Sequence, residues 1–333
     1  MNIYDVSEKA GVSIATVSRV LNGNTNVSEK TRQKVLDVMK EIGYTPNVFA
    51  RGLGLNTMKT IGILCTDCSD NYLANAVYYL VRELRSHDYD SLLCCTGPDL
   101  DNKKKYLELL ISKRVDAIII AGSKFLDAKE SENTFIKDAA KNMPIMLVNG
   151  YLEGENIYST QCDDEAAVYG VTETLIKMGK KNIVYLYTST SHSGLNKLAG
   201  YKKAHYVYNI PMRPEFMQMC NKDMNRAKEY LNQLRSVGKS FDAVVTSDDS
   251  LAVGAIKYAY EHNIKIPDEL QIVGYNDSDI AKSTVPELTS IDSKVEALCR
   301  STVNTLMGVF SGSSVPSKTT VSADLIKRNT TNF

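Results

Sequence analysis

The sequence predicts an α/β protein in which an all-α N-terminal segment precedes a larger region of parallel sheets. Two observations carry this. The first 45 residues set apolar side chains at helical spacing, punctuated by Gly11, Gly23 and Gly43. From Thr60 onward, short apolar runs alternate with amphipathic stretches. Runs that are apolar throughout mark strands whose two faces are both covered by helices, the condition of a parallel sheet.

The stretch from Ile3 to Gly23 reads as two short helices joined by a tight turn. Helix one spans about Ile3 to Ala10, and Gly11 turns the backbone with positive φ. Ser13 is placed to cap helix two, which runs to about Leu21. Val6, Ala10, Val12, Val17 and Leu21 would form a shared core, leaving Ile14, Ala15, Thr16, Ser18, Arg19 and Asn22 outward. Short side chains let a helix sit deep in a groove. Thr16 and Ser18 can donate to phosphates, and Arg19 can offer two parallel donors to a base edge, which suits a recognition helix in a major groove. From spacing alone, a helical hairpin with a solvated face is the alternative. A third helix follows, capped by Ser28 and running to about Ile42. Val35, Val38, Met39 and Ile42 give it one apolar stripe.

These segments, "IYDVSEKAGVSIATVSRVLNG" and "NVSEKTRQKVLDVMKEIGYTPNVFARGL", closely resemble the headpiece of the LacI/GalR family of bacterial repressors over residues 2 to 53. The resemblance implies a helix-turn-helix headpiece at 1–45 that binds double-stranded DNA. It places Tyr4, Ser28, Thr31, Tyr44 and Asn47 on the DNA backbone, where contacts fix register rather than sequence. Ser13 and the outward set of helix two would complete the headpiece contacts. Ile14 and Ala15 stand where the family sets half-site choice, and resemble members that read a central CpG. Residues 46–59 would be a hinge that becomes helical on DNA, with Ala50 in contact. Leu53, or else Leu55, would wedge into the minor groove. Gly52 and Gly54 each disfavour helix by roughly 1 kcal/mol relative to Ala, so the hinge is expected to be disordered without DNA.

Beyond the hinge, candidate strands are Thr60–Cys65, Leu92–Cys95, Ala117–Ala121, Ile145–Val148, Ile183–Tyr187, Ala243–Thr246 and Gln271–Gly274. Candidate helices include Asn71–Ser86, Lys103–Lys113, Asp164–Met178, Lys197–Tyr208, Arg226–Val237 and Leu251–His262. Such sheets bind ligands beyond the carboxyl ends of their strands. "GY" at 200–201, "SDDSLAVGA" at 247–255, "IPDELQIVGYND" at 266–277 and "PELTSID" at 286–292 resemble, in order, the periplasmic-binding-protein-like core of the same family. This implies a two-lobed effector-binding and dimerisation core over 60–333, with chain crossings near 158–162, 289–293 and 318–323. The N-lobe would take about 60–160 and 292–320, and the C-lobe about 161–291 and 321–333.

The cleft departs from the family pattern. Sugar-binding members commonly place an arginine shortly before "GY". Here Ser193-Gly-Leu-Asn-Lys-Leu-Ala-Gly200 offers only Lys197, and Leu195 takes an expected polar position. Asn276 stands where aspartate often follows "GY". Asp248 precedes the "D-x-x-A-x-G" helix, Asn149 ends the fourth strand, and Tyr72 matches an aromatic position that can stack on a ring. Ser293 completes the expected effector set. Amides, one lysine and one aspartate can recognise a neutral polyol. They do so with less charge assistance than an arginine–aspartate pair supplies. The expected effector is a small polar molecule, first of all a carbohydrate or derivative. A cleft that has lost its ligand is the alternative.

Composition bounds the remaining readings. At 333 residues, 43% hydrophobic and 23% charged, the chain has the make-up of an ordinary globular protein of two or three domains. Its net charge of zero is uneven: residues 1–60 hold 8 Lys/Arg against 5 Asp/Glu, and the remainder 31 against 34. A basic end and an acidic body suit one domain that meets phosphates and another that does not. No run of 18 apolar residues and no apolar N-terminal segment is present, so neither membrane insertion nor export is expected, and the protein should be cytoplasmic. Seven cysteines include Cys65-x-x-Cys68 and the adjacent Cys94 and Cys95. Cys65, Cys94 and Cys95 fall in apolar runs where Cys acts as a small hydrophobe, and no His lies nearby in sequence. No metal, disulfide or cofactor is therefore expected. The chain lacks a Walker loop, G-x-S-x-G and a metal-type His cluster, which argues against an enzyme. Asp248 and Asp249, at the head of a helix, read as capping carboxylates. With no heptad extension at the C-terminus, the expected assembly is a homodimer on a near-palindromic operator. The alternative reading is a small-molecule binding protein without a DNA function.

Overall fold

The computed structural model describes residues 2–21, 26–44 and 57–333. Asn22, Asn47, Ala50 and Leu53, with hinge residues 46–56, lie outside the described residues.

Among the described residues, the headpiece is three helices, α1 (Ile3–Ala10), α2 (Ile14–Leu21) and α3 (Glu29–Glu41). Asn2 caps α1 by accepting from the Tyr4 and Asp5 N–H groups, and Asp5 accepts from the Asn2 N–H in return. Gly11 takes φ 60°, as the tight turn requires. Ser13 Oγ accepts the Thr16 N–H at 3.2 Å, and Ser28 Oγ accepts the Thr31 N–H at 3.3 Å. Val6, Ala10, Val17 and Val20 pack on Val35, Val38 and Met39. Val12 and Leu21 are only partly buried. They sit in the turn and at the last position of α2, where fewer neighbours surround them, and Val20 closes the core instead.

The core holds two six-stranded sheets. The first has strands β1 (Thr60–Cys65), β2 (Asp90–Cys95), β3 (Ala117–Ala121), β4 (Ile145–Val148), β5 (Ile157–Cys162) and β11 (Lys318–Val321), in the order β11-β5-β4-β3-β1-β2, all parallel. The second has β6 (Ile183–Tyr187), β7 (Met217–Met219), β8 (Ala243–Thr246), β9 (Gln271–Tyr275), β10 (Thr289–Asp292) and β12 (Asp324–Ile326), in the order β12-β10-β9-β8-β6-β7. Only the edge pair β10–β12 is antiparallel. Helices α4 (Asn71–Ser86), α5 (Leu100–Ser112), α6 (Thr134–Ala140) and α12 (Val295–Phe310) cover the first sheet. Helices α7 (Asp164–Lys177), α8 (His192–Val207), α9 (Met224–Ser236), α10 (Asp249–Glu261) and α11 (Asp279–Ser283) belong with the second. No described helix is long and apolar enough to cross a membrane.

All seven strands read from the sequence are present. Of five further strands, β5, β10 and β11 occupy the segments where the chain crosses between lobes, and β7 and β12 are the edges of the second sheet. Among the helices read, α5 begins three residues early, at Leu100, where Asp99 caps it, and α8 also starts early; α6, α11 and α12 have no counterpart in the reading. α8 begins at His192, five residues before the expected start, because Ser191 caps it by accepting the Gly194 N–H at 3.3 Å. α12 was not read. It starts from Lys294 at φ 57° with no side-chain cap, so no start signal precedes it. The cysteines also divide differently. Cys65 is buried in the core, but Cys68 and Cys95 are exposed.

Two local features hold this frame. Asp116, just before β3, accepts from the Thr57 hydroxyl at 2.9 Å and from the Met58 and Thr60 N–H groups at 3.0 and 3.1 Å. The chain entering the core is thereby fixed to the first sheet. Gly200 lets α8 lie against α7, since a Cβ there would stand 2.3 Å from the Glu165 carbonyl oxygen and 2.9 Å from the Tyr169 nitrogen. Gly200→Ala should therefore destabilise the protein by about 1–3 kcal/mol through overpacking against backbone. An unchanged thermal midpoint would contradict this account of the α7–α8 contact.

Candidate ligand cleft and nucleic-acid interface

The headpiece leaves one face of α2 open. Ile14, Ala15 and Arg19 are exposed, and Thr16 and Ser18 are half-buried. The hydroxyls of Ser13 and Thr16 lie 2.9 Å apart, and those of Ser28 and Thr31 2.8 Å apart. Each pair therefore closes the first turn of its helix. Tyr4 is 66% exposed, while Tyr44 packs partly on the headpiece core.

Between the carboxyl ends of the two sheets lies a cavity of about 580 Å³, its open mouth included. Tyr72, Asn149, Lys197, Asp248 and Asn276 line it, drawing walls from both lobes. Ser293 stands behind the wall and donates to Asn276 Oδ1 at 3.3 Å. Leu195 does not line the cavity and is 48% exposed. It lies about 200° of helical turn from Lys197, so the face of α8 that bears Ser193, Gly194 and Lys197 looks inward and Leu195 looks out. Sequence reasoning also missed Asp70, Ser123 and Lys222, and the hydroxyl run from Thr188 to Ser193. That run follows β6 directly, which was a usable signal, because the carboxyl end of a parallel strand is where such folds bind. Lys222 carried none. It sits in a turn with Asn221, both at positive φ.

Charges in the cleft are matched across the lobes. Lys222 Nζ lies 2.8 Å from Asp70 Oδ2 on one side and 3.2 Å from Asp248 Oδ2 on the other. Burial opposes its charge, but the two carboxylates outweigh that and hold the ammonium above its ordinary range. Asn276 Nδ2 also donates to Asp248 Oδ2, at 3.1 Å. Ser123 donates to Ser191 across the gap at 2.9 Å. Lys197 is buried, with Nζ 3.6 Å from the Tyr275 ring centre, 3.4 Å from the Ser247 carbonyl oxygen and 4.0 Å from Asp164 Oδ1. Asp164 accepts in turn from the Tyr275 hydroxyl. Of its three N–H donors, Lys197 uses one on that carbonyl. The Tyr72 hydroxyl is buried without a partner among the described residues. Asn149 and Asn276 stand at φ 57° and 96°, left-handed conformations that Asn tolerates better than most residues. The lining is thus amide, hydroxyl, ammonium and carboxylate, with one aromatic face.

The acidic pair at the start of α10 divides its work. Asp248 is the cap, accepting from the Ser250 N–H at 3.0 Å. Asp249 is not. It accepts from Ser290 Oγ at 2.6 Å and from the Ser278 hydroxyl and N–H at 2.7 and 2.8 Å. Gly274 makes room for it, since a Cβ there would lie 2.1 Å from Asp249 Oδ1.

Against this geometry, residues 2–47 match the profile of bacterial regulatory proteins, lacI family, and residues 58–329 that of periplasmic binding proteins and sugar binding domain of LacI family. An HTH-type transcriptional regulator of Lachnoclostridium phytofermentans is 60% identical over 333 residues, the whole of both chains. The HTH-type transcriptional regulator AscG of Escherichia coli is 29% identical over 330 residues, 98% of this chain and 97% of its own. The crystal structure of the lac repressor dimer bound to operator and the anti-inducer ONPF matches with a TM-score of 0.90 at 25% identity, covering 99% of each chain. Headpiece and cleft together define a DNA-binding transcriptional regulator with a sugar-binding-type effector domain. The chain belongs to the LacI family.

Burial pushes the Asp249 carboxyl up to about 6 from 3.8, against the hydrogen bonds of Ser290 and Ser278. A carboxyl raised by folding stabilises the fold below the unfolded value and loses that contribution as pH rises through the folded value. Relative to Asp249→Asn, the wild-type protein should lose up to about 3 kcal/mol of stability between about pH 4 and pH 7. A flat difference between the two unfolding curves across that window would refute the assignment.

Proposed function

We propose that this regulator is a cytoplasmic homodimeric repressor that binds a near-palindromic operator and is controlled by a carbohydrate or carbohydrate derivative in the cleft. The observation that carries the effector reading is the buried Lys197 ammonium, which lines the cavity among amides and hydroxyls and, among the described residues, donates one hydrogen bond, to the Ser247 carbonyl. Fixed donors and acceptors around one aromatic face are what a polyol needs. Tyr72, Asn149, Lys197, Asp248 and Asn276 would touch the effector, with Ser293 holding Asn276.

In this reading the open face of α2, with Ile14, Ala15, Thr16, Ser18 and Arg19, enters the major groove, Arg19 pairs with a guanine, and Asn22, outside the described residues, adds a further DNA contact. Tyr4, Ser13, Ser28, Thr31, Tyr44 and Asn47 meet phosphates and fix register. Ala50 and Leu53 meet the minor groove. Pairing of two chains is supported by Leu92 and Leu93 of the edge strand β2, 41% and 45% exposed. The repressor sign is supported by relatives such as the transcriptional repressor PurR of Histophilus somni, 28% identical across 91% of this chain. The effector acts only through its differential affinity for two arrangements of the lobes, and the operator affects effector affinity in return.

Two experiments separate the halves of this reading. Thermal melting against sugars, sugar phosphates, nucleosides and amino acids should find a ligand that adds about 2.7 kcal/mol at 100 times its dissociation constant. Lys197→Met should abolish that shift and leave operator affinity intact. A shift that survives Lys197→Met would move the effector out of the cleft. Selection from random DNA should return inverted repeats with a central CpG, and Arg19→Ala should weaken binding by about 1–3 kcal/mol and relax one position per half-site. Selected sites without inverted symmetry would defeat the dimeric operator.

A further inference from the structure

We propose that Cys65, Cys68 and Cys95 form a three-thiolate site for a soft d10 metal cation of the Cu(I) type, beside the effector cleft but separate from it. Strand register builds the site. In the parallel β1–β2 pair, Cys65 stands opposite Cys95, at the carboxyl end of the first sheet. The turn Thr66–Asp67 brings Cys68 back over both. The three sulfurs lie within 4.8 Å of one another, with Cys65 and Cys68 at 3.4 Å. Three sulfurs arranged trigonally at a metal–sulfur distance of about 2.3 Å would sit about 4 Å apart, so a cation fits with small rotations of the side chains. A donor set of sulfur alone selects soft cations.

The surroundings serve the same end. The Cys68 N–H donates to Cys95 Sγ at 3.3 Å, a contact of the kind that steadies a charged sulfur and fixes its direction. Asp67 accepts from the Ser69 N–H and hydroxyl at 2.9 and 2.7 Å, which holds the turn in shape. Cys68 and Cys95 are exposed and Cys65 is buried, so an ion has an open approach on one side and a fixed anchor on the other. Cys94, on the opposite face of β2, is half-buried and takes no part. Binding replaces up to three S–H bonds with metal–sulfur bonds and releases the protons to solvent. The loop that carries Cys68 ends at Asp70, the partner of Lys222 in the other lobe. An ion on Cys68 would therefore fix the N-lobe end of that bridge.

The test uses the full-length protein, reduced and kept free of oxygen, titrated with Cd²⁺ as a spectroscopic probe and then with Cu(I). One ion per chain should bind, with a thiolate-to-metal charge-transfer band and proton release. Cys68→Ser and Cys95→Ser should each weaken binding at least about tenfold. Cys94→Ser should leave it unchanged, with all three variants melting as the wild type does. No band at one equivalent of Cd²⁺, or equal loss in Cys94→Ser, would overturn the site. So would a disulfide among these cysteines in protein prepared without oxygen and never reduced.

Discussion

The Lys222 ammonium, shared between Asp70 of one lobe and Asp248 of the other, sets how the two halves of the core stand to each other. Each carboxylate splits its oxygens. Asp70 Oδ1 caps α4 by accepting the Tyr72 and Leu73 N–H groups at 2.9 and 3.2 Å, leaving Oδ2 for the lysine. Asp248 Oδ1 caps α10 through Ser250, leaving Oδ2 for Lys222 and Asn276. The bridge is therefore mounted on two helix N-termini, where carboxylates are favoured by the helix dipole. It has little freedom to follow a moving lysine. Separating the lobes strips a partly buried carboxylate of its cation. Removing one partner of such a set costs more than the pair contributes when intact, because a charge is left without compensation.

That constraint bears on what can occupy the cleft. A bound molecule must either leave the bridge whole or supply donors to Asp70 and Asp248 in place of Lys222. On the far wall, Lys197 is held by the Tyr275 ring and the Ser247 carbonyl, with Asp164 anchored to Tyr275 behind it. An arginine in its place would present a rigid fork, whereas an ammonium is a compact point charge whose donors turn freely. The cleft thus pairs a stiff charged bridge on one side with an adaptable donor on the other. Asn276 links the bridge to the strand behind it, touching Asp248 and, through Ser293, the segment where β10 ends. It does so from a strained left-handed backbone, of a kind that costs of order 1–3 kcal/mol and persists where surrounding contacts over-determine it. Its N–H bond to the Ile291 carbonyl at 2.7 Å is one such contact.

The parts of this arrangement legible in the sequence are those fixed by short-range chemistry. Gly11, Ser13 and Ser28 bound the headpiece helices because turns and caps depend on the residue itself. The buried strands stood out because both faces are covered. The rest depends on distance in the chain. Lys222 acts through Asp70, 152 residues away, from a turn that no periodicity marks. Leu195 and Ser193 differ by two positions, and only the true start of α8 decides which faces inward. Asp248 and Asp249 look alike in sequence, yet one caps a helix and the other ties β9 and β10 together from inside. The cysteines show the same limit. The sequence shows Cys65-x-x-Cys68 and, separately, the pair Cys94 and Cys95, while the β1–β2 register brings Cys95 beside Cys65 and Cys68, 30 and 27 positions away.

The same register explains how the cleft can act on the segment that leads to the headpiece. β1 is a rod of six residues, about 20 Å long, held between β2 and β3 by hydrogen bonds on both sides. At its carboxyl end the chain runs through Cys68 to Asp70 at the inter-lobe bridge. At its amino end, Asp116 grips Thr57, Met58 and Thr60. A sheet does not stretch, so this rod cannot absorb a displacement of one end by yielding in the middle. Whatever shifts Asp70 relative to the second lobe must carry the first sheet as a body, and Asp116 carries Thr57 with it. The coupling therefore needs no chain of adjusting side chains between cleft and linker. It needs only that the lobes have two stable settings and that the bridge at Lys222 favours one of them.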